Sequence, residues 1–256
     1  TCNAGPDQSL CAVTSATLAA VSPATGTWTV VSGSGTFVSN SNPNTTVNGL
    51  SNGVNVFRWT ASDLTCSSDV TITVNPNVTP TFTAVAPICS GATLSALPTT
   101  STNGINGTWS PALNNTATTT YTFTPTAGQC ATTTTLTITV NPNVTPTFTA
   151  VAPICSGTAL AALPTTSTNG ITGTWSPALN NTTTTTYTFT PTAGQCATTT
   201  TLTITVTPNV TPTFTAVAPI CSGTALAALP TTSTNGITGT WSPALNNTTT
   251  TTYTFT

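Results

Sequence analysis

The chain has 256 residues, 2% of them charged, and a formal net charge of −2. Arg58, Asp7, Asp63 and Asp69 are the whole charged set, and His, Lys, Glu and Met are absent. That inventory argues against general acid–base catalysis, which needs a group titrating near the working pH. It argues equally against calcium loops with clustered carboxylates and against nucleic-acid binding, which needs a basic footprint.

Other classes fall for related reasons. Cys2 and Cys11 are too far apart for the usual zinc spacing, and the cysteines after Asp69 have no His, Lys or carboxylate nearby to activate a thiolate. The expectation is no enzyme, no cofactor, no metal and no nucleic-acid partner. With 37% apolar residues and five regularly placed tryptophans, the chain reads as folded and not disordered. No apolar run reaches the ~18 residues of a membrane span, and the opening "TCNAGPDQSL" lacks the features of a signal peptide.

In chain order, residues 1–74 form a first module with Trp28 and Trp59 inside and Cys11 and Cys66 as bookends. Its "SATLAAV" is too short for a helix and runs into Ser-Pro. A repeat follows. "NVTPTFTAVAPICSG" occurs at 77–91, 143–157 and 209–223, and the Cys, Trp and Tyr positions recur every 66 residues. The domains expected are 1–74, 77–140, 143–206 and 209–256. The last stops before the "PTAGQCATTTTLTITV" that follows Thr190, so the sequence reads as a window on a longer protein.

Within a repeat, period-two alternation predicts strands. In "TPTFTAVA", Phe82, Ala84 and Ala86 share a face. In "TTTYTFTPT", Tyr121 and Phe123 oppose three threonines. In "ATTTTLTITV", Leu136, Ile138 and Val140 point in and Thr135, Thr137 and Thr139 out. Threonine combines a branched Cβ, which suits strands, with a hydroxyl that suits water. It makes a solvated strand face without charge. Asn103-Gly104, Asn169-Gly170 and Asn235-Gly236 mark hairpin turns before each "I-x-GTW". The fold class expected is all-β, a tandem array of immunoglobulin-like sandwiches forming an extended rod. Trp59, Trp109, Trp175 and Trp241 are its expected core anchors.

A module of about 60 residues is marginally stable on burial alone, so cross-links are expected within each. The matching placement of the cysteines predicts Cys11–Cys66, Cys89–Cys130 and Cys155–Cys196, with Cys2 and Cys221 unpaired. Loops of that length favour the folded state by about 3–4 kcal/mol. Cystines imply an oxidising location.

The strings "NAGPDQSLC", "GTWTVVSGSGTFVS" and "GLSNGVNVFRWTASDLTCSSDVTITV" resemble the PKD-like and immunoglobulin-like modules of giant repetitive surface proteins in gliding bacteria. "PICSG", "LPTTSTNGITGTWSPALNNTTTTTYTFTPTAGQCATTTTLTITV" resembles a second module type of the same proteins. The resemblance covers essentially the whole chain. It implies an adhesin on the exterior of the bacterial outer membrane, exported by type IX secretion and in some cases carried along in gliding.

The expected role is a structural stalk segment whose partners are neighbouring repeats, with an extracellular surface or glycan as a further partner. Pro142 and Pro146 stiffen the linkers. The competing reading is direct binding by the repeats, of a glycan through multivalency or of ice through Thr-x-Thr faces. Sheet twist disfavours ice. Asn77, Asn143, Asn181, Asn209 and Asn247 sit in Asn-x-Thr sequons expected from threonine richness alone.

Overall fold

A computed structural model describes residues 1–256 and contains strands and turns but no helix. Contacts divide the chain into two compact units, Thr1–Val144 with Ala193–Cys196, and Thr145–Thr192 with Ala197–Thr256.

The first module has seven strands: β1 (Gln8–Cys11), β2 (Ser15–Ala19), β3 (Gly26–Ser32), β4 (Thr36–Phe37), β5 (Asn44–Asn48), β6 (Gly53–Ala61) and β7 (Ser67–Asn75). They form one sheet in the order β1-β7-β6-β3 and a second in the order β2-β5-β4. This is the partition of an immunoglobulin-like sandwich, with the third, sixth and seventh strands in one sheet and the second, fourth and fifth in the other. Alternation builds the core. Val70, Ile72 and Val74 on β7 are buried, as are Phe57 and Trp59 on β6 and Leu18 and Val47 from the facing sheet. Trp28 and Trp59 sit directly opposite each other across β3 and β6, their ring centroids 5.1 Å apart. Each indole N–H donates to a backbone carbonyl, of Asn42 and Pro23 respectively. The buried Asn55 amide is satisfied too, donating to Ser51 and accepting from Ser34 and Ser51.

The repeats keep half of this plan. In the first, β8 (Ile88–Cys89), β9 (Gly107–Ser110), β10 (Thr119–Pro125), β11 (Thr134–Ile138) and β12 (Val140–Asn141) give a β11-β10-β9 sheet and a parallel β12-β8 pair. The second has the matching β13 (Ile154–Cys155), β14 (Gly173–Ser176), β15 (Thr185–Pro191), β16 (Thr200–Ile204) and β17 (Val206–Thr207). The third has β18 (Trp241–Ser242) and β19 (Thr254–Phe255). "ATTTTLTITV" changes partners midway: the Val140 N–H donates to the Thr118 hydroxyl at 2.9 Å, and the strand leaves β10 for β8. Its Ile138 and Val140 are buried and its Thr135, Thr137 and Thr139 exposed.

Two expectations need correcting. "TPTFTAVA" forms no strand, the nearest pairing being the Val78–Ala131 bridge just before it, and Ala84 and Ala86 are exposed. Pro80 and Pro87 cannot donate to a ladder; of the three residues expected on the inner face only Phe82 turns in, 4.7 Å from both Trp109 and Phe123. The repeat tryptophans are also not the deepest residues. Trp109, Trp175 and Trp241 are half-buried because their strands lie at a sheet edge, whereas Tyr121 and Phe123 on the central β10 are fully buried. Trp59, on the central β6, is fully buried.

The Tyr121 hydroxyl accepts from the Asn114 N–H at 2.9 Å and donates to the Asn114 carbonyl, a corner typical of immunoglobulin-like domains. Each fully buried side chain contributes about 1.5–3 kcal/mol.

Gly107 tests the packing. A Cβ there would collide with the Thr124 carbonyl and the Phe123 ring. Gly107→Ala should destabilise the protein by about 1–3 kcal/mol in chemical denaturation, whereas Thr124→Ala on the exposed face should stay within about 0.5 kcal/mol.

Candidate functional site

In the first module and the first two repeats the first and last strands run parallel, and this decides the cysteine chemistry. Cys11 lies opposite Asn75, at the far end of β7 from Cys66. Nine extended residues separate those two levels, roughly 30 Å at about 3.3 Å per residue. A cystine needs Cα atoms within about 7 Å, so Cys11–Cys66 cannot form. Cys89 likewise lies opposite Asn141 and Cys155 opposite Thr207. In each case the module's other cysteine is about ten residues back along the strand, which rules out Cys89–Cys130 and Cys155–Cys196.

The bonds present are Cys2–Cys66, Cys11–Cys130 and Cys89–Cys196, with Cα separations of 5.7, 4.9 and 4.9 Å. Cys155 and Cys221 are free and exposed. Cys2, expected to be unpaired, closes the first module: its 64-residue separation from Cys66 equals the offset of the Gln8↔Ile72 register. That shared offset was the available signal.

The other two bonds cross linkers. Cys11 pairs with Asn75; Pro76 and Asn77 follow; then the Val78 N–H donates to the carbonyl of Cys130 at 2.8 Å. Cys11 and Cys130 therefore flank one short linker and join its two ends. The arrangement recurs one repeat later: Cys89 pairs with Asn141, and after Pro142 and Asn143 the Val144 N–H donates to the Cys196 carbonyl at 2.8 Å. Closing rings of 119 and 107 residues rather than about 40 adds only about 1 kcal/mol on the chain-entropy model. Strand direction, not loop entropy, selects the partners.

Side chains hold the ends of each linker. Asn143 Nδ2 donates to the Ser90 carbonyl, next to Cys89, at 3.0 Å. At the entry to the first repeat, Asn103 Nδ2 donates to the Thr79 carbonyl and its Oδ1 accepts from the Thr81 N–H and the Ser101 hydroxyl. The Asn103-Gly104 turn, with Gly104 at φ +86°, thus clamps the incoming chain. Gln129 fixes the cysteine loop by exchanging two 2.7 Å hydrogen bonds with the Asn106 backbone. Cys130 and Cys196 themselves adopt left-handed φ values of +45° and +42°, uncommon for residues other than Gly.

Outside the latches the surface is hydroxyl-rich. Thr108, Ser110, Thr120, Thr124, Thr135 and Thr137 are exposed on the β9-β10-β11 sheet, and Thr120 and Thr137 hydroxyls pair at 2.8 Å. The one ion pair spans β6 and β7, Arg58 reaching both Asp69 oxygens at 2.6 and 2.8 Å. That hydrogen bond holds Asp69 below the usual carboxylate range. The Thr65 hydroxyl, then its N–H, does the same for Asp63.

The chain is matched by no protein-family model and by no curated protein. Among solved structures it is similar to the I67–I69 I-band fragment of titin, at 10% identity over 82% of this chain and 98% of that one, with a TM-score of 0.35. It is similar to the SGBP-B protein of the Bacteroides ovatus mixed-linkage glucan utilization locus, at 12% identity over 84% and 70%, with a TM-score of 0.22. Domains 4–9 of the surface layer protein SbsC share 12% identity over 90% and 54%, with a TM-score of 0.21.

Cys196→Ser should leave three free thiols in the unfolded chain in place of two, and alkylation mapping should place the new one at Cys89. A new thiol at Cys155 would mean pairing within the repeat. The depressed carboxylates fix the sign of the acid response. Their contribution is full above the unfolded value of about 4 and is lost as pH falls through the lower folded values. The thermal midpoint should therefore be flat from about pH 5 to 8 and fall only below about pH 4. A calorimetric midpoint that moved steeply near neutrality would contradict this.

Proposed function

We propose that the chain is a segment of the structural stalk of a secreted cell-surface adhesin, built from immunoglobulin-like modules latched to one another by cystines. The observation that carries this reading is the recurrence of one cross-link across successive linkers, Cys11–Cys130 and Cys89–Cys196. A bond that bridges a linker does little for a site inside a module. It does a great deal for load transmitted from module to module. The cystines also support an oxidising, extracytoplasmic location.

The resemblance to repetitive surface proteins of gliding bacteria supports the same assignment, with type IX export and residence outside the outer membrane. Chemical neutrality fits such a position. A surface formed largely by Thr, Ser and Asn interacts weakly with salt, since screening acts on charges. On this reading the repeats provide mechanical continuity and perform no catalysis.

Load would follow the latches. At full extension tension entering at Cys2 passes through the sulfurs to Cys66, along the backbone to Cys89, and through the Cys89–Cys196 bond to Cys196. Most of the intervening chain is held out of the loaded path. Single-molecule stretching from the two termini should give the oxidised protein less than half the final contour length of the reduced protein. Equal lengths in the two redox states would overturn the proposal.

A further inference from the structure

No cystine joins two cysteines that are neighbours in sequence. The chain order is Cys2, Cys11, Cys66, Cys89, Cys130, Cys155 and Cys196, whereas the bonds are Cys2–Cys66, Cys11–Cys130 and Cys89–Cys196. Cys11 passes over Cys66 and Cys89 to reach its partner, and Cys89 passes over Cys130 and Cys155. Each therefore has nearer competitors on both sides.

In an unfolded chain, loop length decides which thiols meet. The sequence distance from Cys2 to Cys11 is less than a tenth of the 119 residues that separate Cys11 from Cys130. Closure cost rises with the logarithm of loop length, so Cys11 meets Cys2 roughly fifty times as often as it meets Cys130. Cys89 meets Cys66 roughly ten times as often as Cys196, which lies 107 residues away. Synthesis from the N-terminus adds to the bias, since Cys2 and Cys11 are made long before Cys130.

The native fold cannot accept the favoured bond. The segment between Cys2 and β1 runs along β7: the Asp7 carboxylate accepts from the Thr71 N–H at 2.7 Å, and Gln8 and Cys11 lie opposite Ile72 and Asn75. Cys2 is bonded to Cys66 at the start of that run, and Cys11 stands at its far end. The gap is roughly 30 Å at about 3.3 Å per residue, against a reach of about 7 Å for a cystine. A Cys2–Cys11 bond would double the segment back on itself and take β1 off the sheet. It would also deprive Cys66 and Cys130 of their partners.

We infer that the chain is a substrate of a thiol–disulfide isomerase, which converts bonds between sequence neighbours into the three native ones. A small-molecule or protein disulfide supplies the oxidation, accepting the electron pair released as each bond is made. The isomerase thiolate attacks Cys2 Sγ of the Cys2–Cys11 bond, and Cys11 leaves as a thiolate and takes up a proton. The Cys66 thiolate then attacks Cys2 Sγ in the mixed disulfide, which forms Cys2–Cys66 and returns the isomerase thiol. That exchange is neutral in electrons, and it leaves Cys11 free to be oxidised with Cys130. It belongs to the making of the molecule and holds whether or not the finished chain bears load.

The test uses the full chain with Cys155→Ser and Cys221→Ser, which leaves the six bonded cysteines. The reduced, unfolded protein is diluted into oxidised and reduced glutathione, with or without catalytic protein disulfide isomerase. Free thiols are alkylated at successive times, and the bonds are mapped without reduction. Cys2–Cys11 should lead among the earliest bonds, and the isomerase should speed the appearance of the three native bonds roughly tenfold or more. Native bonds leading from the earliest time, or equal rates with and without the isomerase, would overturn the assignment.

Discussion

The parallel pairing of a module's first strand with its last is the constraint on which the remaining architecture depends. An antiparallel pair would bring the chain's entry and exit to one end and could join Cys11 to Cys66. The parallel pair puts the last residue of β1 beside the last residue of β7, so Cys11 meets Asn75 where the chain departs for the next module. The loop cysteine of that next module waits at the same linker. From this follow the partners of Cys11 and Cys89, the stiffening of each joint, and the equivalence of Cys155 to both.

The repeats depend on those joints because their interiors are thin. The first module has two sheets and buries Trp28, Trp59 and Phe57 between them. Each of the first two repeats keeps one three-stranded sheet and a two-residue parallel pair, covered on the other side by irregular chain. Phe82, Trp109 and Phe123 form a triangle of rings with centroids 4.7–5.1 Å apart, which compensates locally for the missing strands. Prolines and Asn side chains position the covering segments where ladders would otherwise do so.

Much of this was legible in the sequence, and the rest was hidden for definite reasons. The alternation in "ATTTTLTITV" revealed which residues face inward, since a period of two admits no other placement on a one-sided sheet. The same alternation in "TPTFTAVA" misled, because the pattern says nothing about whether Pro80 and Pro87 leave enough donors for a ladder. The tryptophans signalled a core but not their depth, which depends on strand order: β9 is an edge and β10 is central. The cystine partners were missed because equal spacing along the chain is blind to strand direction. The 64-residue offset common to Cys2–Cys66 and the β1–β7 register carried that direction and needed only the parallel pairing to be read.

The three cystines close rings over residues 2–66, 11–130 and 89–196, and each ring overlaps the next. Every peptide bond between Cys2 and Cys196 is therefore enclosed by at least one of them. A protease that nicks any single loop in this stretch, including a trypsin-like enzyme at Arg58, opens a ring without releasing a fragment. Outside a cell, where cleavage is frequent and repair absent, such a thread survives cuts that would sever an ordinary string of domains.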